Sequence, residues 1–329
     1  MTKALAMISG GLDSILAAKL IKEQGIEVIG ICFRSYFFSE ESARKMTKQI
    51  DIPLVVVDFS NEHLDMVKNP KHGRGKNMNP CIDCHAMMMN YAGKLLEEYN
   101  ADFIITGEVL NQRPMSQNRQ ALNIVRKESG FANKILRPLC AKNLDPTEME
   151  LNGLVDREKL LNISGRSRKI QMELAEQWGI KEYPSPAGGC KLTEPNYALR
   201  LKDLLDYKED VEEDELKLLR YGRHFRTKDN NKIIVARTKD EGEAIKNYIN
   251  ENYYSFHTSD FSGALVLLEN EGTEEDVILA SRIAGRYSKG RDEKSVKVKF
   301  GRYGTRFNDE IEVEPISDED LQKYLVSIK

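Results

Sequence analysis

Short apolar runs alternate with amphipathic polar stretches through the first half of the chain. Residues 4–8 read as a buried strand, and residues 13–22 carry Ile15, Leu16, Leu20 and Ile21 at helical spacing. Residues 27–33 and 54–59 are further Val- and Ile-rich runs, separated by a polar helical stretch at 40–49, and the run 103–106 follows a helix over 86–99. This alternation predicts an α/β fold, a doubly wound parallel sheet. Ligands of such a sheet bind outside the carboxyl ends of its strands. The Ser9 turn, Asp58-Phe59-Ser60 and Thr106-Gly107-Glu108 all fall there, so the three loops are expected to converge.

The second part of the chain has a different rhythm. A highly charged stretch at 206–215 reads as a solvated linker or helix face, which predicts a boundary between a domain over 1–205 and a second, smaller α+β domain over 206–329. Beyond it, 232–236, 264–268 and 296–300 are short strand-like runs, and a helix is expected near 274–284. No internal repeat or low-complexity tract interrupts either part.

Between the first strand and the first helix lies Ser9-Gly10-Gly11-Leu12-Asp13-Ser14. Gly10 and Gly11 let backbone N–H groups approach phosphate oxygens, Ser9 and Ser14 add hydroxyl donors, and the helix N-terminus adds partial positive charge. Asp13 would repel phosphate unless a cation lay between them, which implies Mg²⁺. The alternative is an ordinary strand-to-helix corner with serine caps. The six residues resemble the PP-loop ATP pyrophosphatases, whose fold is of the adenine nucleotide alpha hydrolase kind and which split ATP between its α and β phosphates. The G-x-x-x-x-G-K-[ST] run of γ-phosphate transfer is missing.

Composition narrows the setting. The 329 residues are 40% hydrophobic and carry a net charge of −3, which supplies two cores and argues against a wholly basic nucleic-acid binder. No membrane span or signal peptide is read from the sequence, so the cytoplasm is the expected location. Five cysteines in a chain of this length point to metal or thiol chemistry rather than a disulfide framework.

Pro80-Cys81-Ile82-Asp83-Cys84-His85 is placed in a loop leading into a helix, and Cys190 ends the loop Pro184-Ser185-Pro186-Ala187-Gly188-Gly189-Cys190. Three thiolates suit three irons of a [4Fe–4S] cluster with the fourth iron open to sulfide. Two other readings stay open: a Cys₃His zinc site completed by His85, and a persulfide on Cys190 resolved by Cys81 or Cys84. Cys32 and Cys140 read as buried small hydrophobes.

Ile105-Thr106-Gly107-Glu108-Val109-Leu110-Asn111-Gln112, then Ser116-Gln117, then Leu136-Arg137-Pro138-Leu139 resemble the PP-loop domain of the tRNA 4-thiouridine synthetases (ThiI). The Asn79-Pro80-Cys81 loop is similar to the cysteine loop of the tRNA 2-thiouridine synthases (MnmA). The resemblance covers about the first 200 residues. It implies ATP binding by Ser9, Gly10, Gly11, Asp13 and Ser14, with Gly107 and Gln112 in the same site, and a sulfur-bearing cysteine at Cys190. Neither a preceding RNA-binding domain, nor a rhodanese-like tail, nor the barrel of the 2-thiouridine enzymes accompanies it.

Tyr221-Gly222-Arg223-His224-Phe225-Arg226, residues 233–237, 256–264 and 280–288 resemble the NFACT-R module of ribosome- and RNA-associated proteins. Arg220, Arg223, Arg226 and Lys228 beside Tyr221, His224 and Phe225 are suited to pairing with phosphates and stacking on unpaired bases, or else form an ordinary basic surface hairpin. Arg157, Arg166, Arg168 and Lys169 are a second basic group able to guide RNA phosphates. His257 with Asp260 lacks a third partner and reads as structural.

The resulting expectation is an ATP-dependent tRNA sulfurtransferase. A uridine carbonyl is adenylated and its oxygen replaced by sulfur, with Asp13, Cys81 and Cys190 as the reacting machinery and Cys81, Cys84 and Cys190 as the metal ligands. The expected partners are tRNA and a sulfur donor, either a cysteine desulfurase or sulfide, with a homodimer left open and no membrane association. The alternatives are a PP-loop enzyme that amidates or sulfurates a small molecule, and a nucleotide-switched RNA-binding accessory.

Overall fold

The computed structural model describes residues 2–185, 190–307 and 309–328. The chain divides into two compact units, Met1–Lys191 and Leu192–Lys329.

The first unit runs β1 (Lys3–Met7), α1 (Leu12–Lys22), β2 (Glu27–Arg34), α2 (Glu41–Gln49), β3 (Leu54–Asp58), α3 (Ser60–Lys68), α4 (Cys81–Glu98), β4 (Phe103–Thr106), α5 (Arg119–Glu128), β5 (Ile135–Leu136), α6 (Glu148–Leu151) and α7 (Lys169–Gln177). Its sheet is parallel in the order β3-β2-β1-β4-β5. Alternate residues of β1 enter opposite cores. Ala4 and Ala6 pack with Ile15, Leu16, Met46 and Ala175, while Leu5 packs with Met89, Ala92 and Val125. Both faces are therefore covered by helices, as the continuous apolar strands require.

The chain reverses direction across the sheet between β1 and β4, so the crevice lies above that pair. The loops after β1 and β4 meet there. The loop after β3 does not join them, because β3 stands at the sheet edge beyond β2. Asp58 there accepts from Ser60 N at 3.0 Å and Ser60 Oγ at 2.6 Å at the start of α3, and pairs with Arg34 at 2.7 Å.

The second unit comprises α8 (Pro195–Tyr207), α9 (Glu213–Leu218), β6 (Arg223–Arg226), β7 (Lys232–Val235), α10 (Lys239–Ile245), β8 (Tyr253–Thr258), β9 (Val266–Glu269), α11 (Glu274–Arg286), β10 (Val296–Arg302), β11 (Asp309–Val313) and α12 (Asp318–Leu321). Its antiparallel sheet has the order β11-β10-β8-β9-β7-β6. Ile233 and Val235 face the core that holds Ala280 and Ile283 of α11, and Ile234 faces the one that holds Leu218 and Ile245.

The division falls earlier than the charged stretch suggests, because α8 belongs to the second unit. Arg200 donates to the carbonyls of Leu219 at 2.9 Å and Gly222 at 2.8 Å, and Tyr197 donates to Leu216 O at 3.3 Å. The acids of 206–215 are partly used in place: Glu215 accepts from Lys208 at 2.8 Å and from Glu212 N at 2.9 Å.

Two histidines are fully buried, one in each unit. His63 stacks on Phe59 with centroids 4.8 Å apart and meets Ser35 Oγ at 3.0 Å, and burial pulls its pKa down to about 4. His224 bonds the carbonyl of Tyr221 at 2.8 Å, and burial and then Lys232 and Arg200 hold its pKa well below the ordinary range. Both are neutral in the native state, whereas the unfolded chain protonates them near pH 6.5. Stability is thus complete above that pH and declines as pH falls toward 4, each histidine contributing a slope of at most about 1.4 kcal/mol per pH unit. Melting curves at pH 7.5 and 5 should show this loss, and His63→Phe should shrink it. An undiminished loss in that variant would exclude His63 as a source.

Candidate active site

The turn after β1 is shaped by close packing. Gly10 has φ +81°, and a Cβ there would lie 2.5 Å from the Cβ of Ser42. Ser14 Oγ donates to Gly11 O at 2.8 Å, and Ser9 Oγ accepts from Gly11 N at 3.4 Å. Gly11 caps α1 without a side-chain hydrogen bond, so the N–H groups of the first turn are left for a ligand. All five loop residues named from the sequence thus meet at the β1–β4 crevice.

Gly107 enters the site differently from expectation. A Cβ on it would sit 2.4 Å from Ser14 N and 2.6 Å from Asp13 C, so it lets the β4 loop abut the first turn of α1. Gln112, from the same loop, donates through Nε2 to Asp13 Oδ2 at 2.8 Å. Behind it Gln171 of α7 donates to Gln112 Oε1 at 3.4 Å. Asp13 Oδ1 and Gln171 Oε1 are buried with no hydrogen-bond partner. An unpaired carboxylate oxygen beside a phosphate-binding turn is a hard donor of the kind Mg²⁺ takes, so Asp13 fits the implied cation. Gln171, 0% exposed, escaped the sequence reading. Its one signal was a polar residue four positions before buried Ala175 on the inward face of α7.

The cysteine motif is not in a loop. Helix α4 starts at Cys81 behind Pro80, so Cys81 and Cys84 form its first turn and share one face with His85. The preceding segment is tied to this turn by Asp83, which accepts from His72 N at 2.9 Å and Nδ1 at 2.7 Å. Cys190 joins the pair: desolvation first, then Cys190, Cys81 and Asp83, hold the Cys84 thiol well above the ordinary cysteine range. Lys191 N bonds Phe37 O at 3.1 Å, fixing the end of the Cys190 segment against the loop after β2. Residues 186–189 of that segment lie outside the described residues. Among the described residues no group of three or more His, Cys, Asp or Glu is placed to hold a metal ion. Cys32 and Cys140 are buried as expected, with burial pushing their pKa values up to about 12 and about 11.

Glu108 links the nucleotide loop to the cysteine helix. It is buried and accepts from Arg137 Nε at 2.8 Å, while His85 Nδ1 lies 3.0 Å from its other oxygen. Burial alone would raise its pKa, yet Arg137 and His85 bring it down to about 2, so the carboxylate is ionised at any working pH. The bond to Glu108 fixes the ring of His85 through Nδ1, an arrangement that zinc-bound histidines share; what counts against the zinc site is the lack of a three-ligand group among the described residues.

The basic residues separate into two kinds. Arg157 is ion-paired with buried Glu150 and bonds the carbonyls of Ala141 and Leu144, and Arg226 is ion-paired with Asp203 and stacked over Tyr207 at 4.6 Å. Both are structural, which removes Arg226 from the expected RNA contacts. Arg166 and Lys169 are exposed, the latter 3.9 Å from Glu173. Arg168 is half-buried, with an unpartnered Nε, and Arg223 lies over the Tyr287 ring at 5.2 Å.

A doubly wound sheet whose first strand ends in S-G-G-x-D-S at the switch point defines a PP-loop nucleotide-binding domain. Residues 1–148 match the family model of the thiamine biosynthesis protein ThiI, and residues 222–325 match that of the NFACT protein RNA binding domain. Each match covers less than half of the chain, the ThiI-type match lying in the first unit and the NFACT-type match in the second. It is 34% identical over 124 residues to the tRNA-specific 2-thiouridylase MnmA of Clostridium acetobutylicum, covering 32% of this chain and 35% of that protein. It is 33% identical over 144 residues to a probable tRNA sulfurtransferase of Thermococcus kodakarensis, covering 42% of this chain and 36% of that protein. The chain thus spans about a third of the length of these curated relatives. A solved 4-thiouridine synthetase–RNA complex with bound ATP aligns over 54% of this chain and 50% of that one, at 20% identity and a TM-score of 0.35.

Gly107→Ala should drive the β4 loop off the α1 turn and weaken ATP binding by roughly tenfold or more, beyond the about 1–3 kcal/mol that overpacking costs the fold. Calorimetric titration with ATP checks this. Wild-type affinity would remove the close approach from the site.

Proposed function

We propose that the protein is an ATP-dependent tRNA sulfurtransferase. The observation that carries this reading is the Glu108 bridge, which ties the loop packed on the S-G-G-x-D-S turn to the helix that opens with Cys81 and Cys84. The relatives named above, which act on tRNA, and the NFACT-R-type second unit support RNA as the substrate.

In this reading the uridine carbonyl oxygen attacks the α-phosphate of ATP, and the bond to pyrophosphate breaks. The N–H groups of the Ser9 turn and the first turn of α1 stabilise the departing charge. Asp13 would hold Mg²⁺, which supplies further charge neutralisation when bound. The uridine carbon, now carrying AMP as a leaving group, is attacked by sulfur. A persulfide on Cys190 would deliver it: a second thiol, Cys81 or Cys84, attacks the Cys190 sulfur, leaving a disulfide on the protein and thiocarbonyl on the base as AMP departs. Reduction of that disulfide by an external dithiol, followed by transfer of the outer sulfur of a desulfurase persulfide to the Cys190 thiolate, restores the persulfide and completes the cycle. In a cluster-dependent form of the same reading, Cys81, Cys84 and Cys190 would be the residues to hold a [4Fe–4S] cluster, which would supply binding of exogenous sulfide. Arg166, Arg168, Lys169 and Arg223 are the residues left to meet RNA phosphates and bases.

Asp13→Ala should abolish AMP and pyrophosphate formation with the fold intact. Cys190→Ser should still form pyrophosphate and adenylated tRNA while yielding no thiouridine by nucleoside mass spectrometry of tRNA. Full turnover by Asp13→Ala would overturn the nucleotide assignment, and thiolation by Cys190→Ser would overturn the sulfur assignment. Anaerobically purified protein separates the two sulfur forms. A brown chain bleached by changing any one of Cys81, Cys84 or Cys190 carries the cluster, whereas an iron-free chain that still thiolates uses the persulfide.

A further inference from the structure

The direction of the hydrogen bonds behind Asp13 is dictated by a single carboxylate. Asp13 Oδ2 only accepts, so Gln112 must present its NH₂ to it, at 2.8 Å. That leaves Gln112 Oε1 facing Gln171, which must in turn present its own NH₂, at 3.4 Å. Gln171 Oε1 then has no partner in a fully buried position. A buried amide left half-satisfied costs about 1–3 kcal/mol, so a purely structural role would be better served by an apolar side chain of the same length. The retained amide does one thing a hydrocarbon cannot: it fixes which way Gln112 points.

We propose that Gln171 is a positioning residue that locks the amide of Gln112 against Asp13 Oδ2 and so keeps Asp13 Oδ1 free for the cation at the nucleotide site. This rests on the nucleotide reading given above. Without Gln171 the Gln112 amide is free to turn over. Its Oε1 would then face the carboxylate, and Asp13 would rotate away from an acceptor it cannot bond. In Gln171→Glu the acceptor-only head group would favour that reversed orientation outright. Gln171→Met removes the donor and also the unpaired oxygen, so it should hold or raise stability while loosening Gln112.

The test is Mn²⁺ titration of the full chain with the α,β-methylene analogue of ATP, followed by electron paramagnetic resonance, beside melting curves and steady-state AMP formation with tRNA. Gln171→Met and Gln171→Glu should each weaken Mn²⁺ binding roughly tenfold, the equivalent of one hydrogen bond to a charged site. The Mg²⁺ concentration for half-maximal AMP formation should rise by a similar factor. In a Gln112→Leu background Gln171→Met should weaken Mn²⁺ binding no further, since the effect passes through Gln112. Unchanged Mn²⁺ affinity in folded Gln171 variants, or an added loss in the Gln112→Leu background, would overturn the proposal. Wild-type protein that binds Mn²⁺ with the analogue yet forms no AMP would instead overturn the sulfurtransferase reading and leave the positioning role standing. Wild-type protein that binds no Mn²⁺ would overturn both.

Discussion

Glu108 is a carboxylate taken out of water and held by three elements at once. Arg137 from the end of β5 donates to it at 2.8 Å, His85 from the first turn of α4 lies at 3.0 Å, and Thr106 Oγ1 at the end of β4 donates at 3.2 Å. A buried charge of this kind is tolerated only while every partner stays in place, and the loss of one strands the others without solvent. Its bonds therefore fix the β4 loop relative to the cysteine helix. That loop in turn sets Gly107 against the α1 turn and Gln112 against Asp13. The phosphate-binding turn and the thiols are placed relative to each other through this one group.

Around that bridge the site uses two physical devices. Close backbone approach is obtained by removing side chains, at Gly10 against α2 and at Gly107 against α1. Fixed polarity comes from two amides, half-buried Gln112 and buried Gln171, whose orientation follows from the charge of Asp13. The unpaired oxygens that remain are the places where a ligand would complete the hydrogen bonding. The cysteine turn has a parallel character: its central thiol is held protonated by desolvation and by its neighbours, a state that binding or deprotonation would have to change.

The second unit reaches the same end with an antiparallel sheet covered by helices. Arg226 illustrates why a basic sequence cluster is a poor guide to a binding surface, and Arg200, outside that cluster, is engaged in a comparable way. Each guanidinium is bound within the unit, one capping backbone carbonyls and the other paired with Asp203 and stacked on Tyr207, and both are thereby withdrawn from any external phosphate. Arg223, lying over Tyr287, retains the arrangement of a cation beside an aromatic face that single-stranded RNA engages.

Periodicity and local turn chemistry were legible in the sequence. The continuous apolar runs located β1 to β4, and the S-G-G-x-D-S turn located the tight corner between β1 and α1. These depend on near neighbours in the chain, so the sequence by itself determines them. What it left open depends on partners far apart along the chain. Helix α4 begins at Cys81 because Pro80 ends the preceding loop and Asp83 is buried against His72. Helix α8 joins the second unit because Arg200 and Tyr197 find carbonyls there. Gln171 enters the site from α7, 59 positions beyond Gln112. Only the tertiary structure decides such pairings, because the free energy of a buried polar group is set by the partners that folding brings to it and not by its neighbours in sequence.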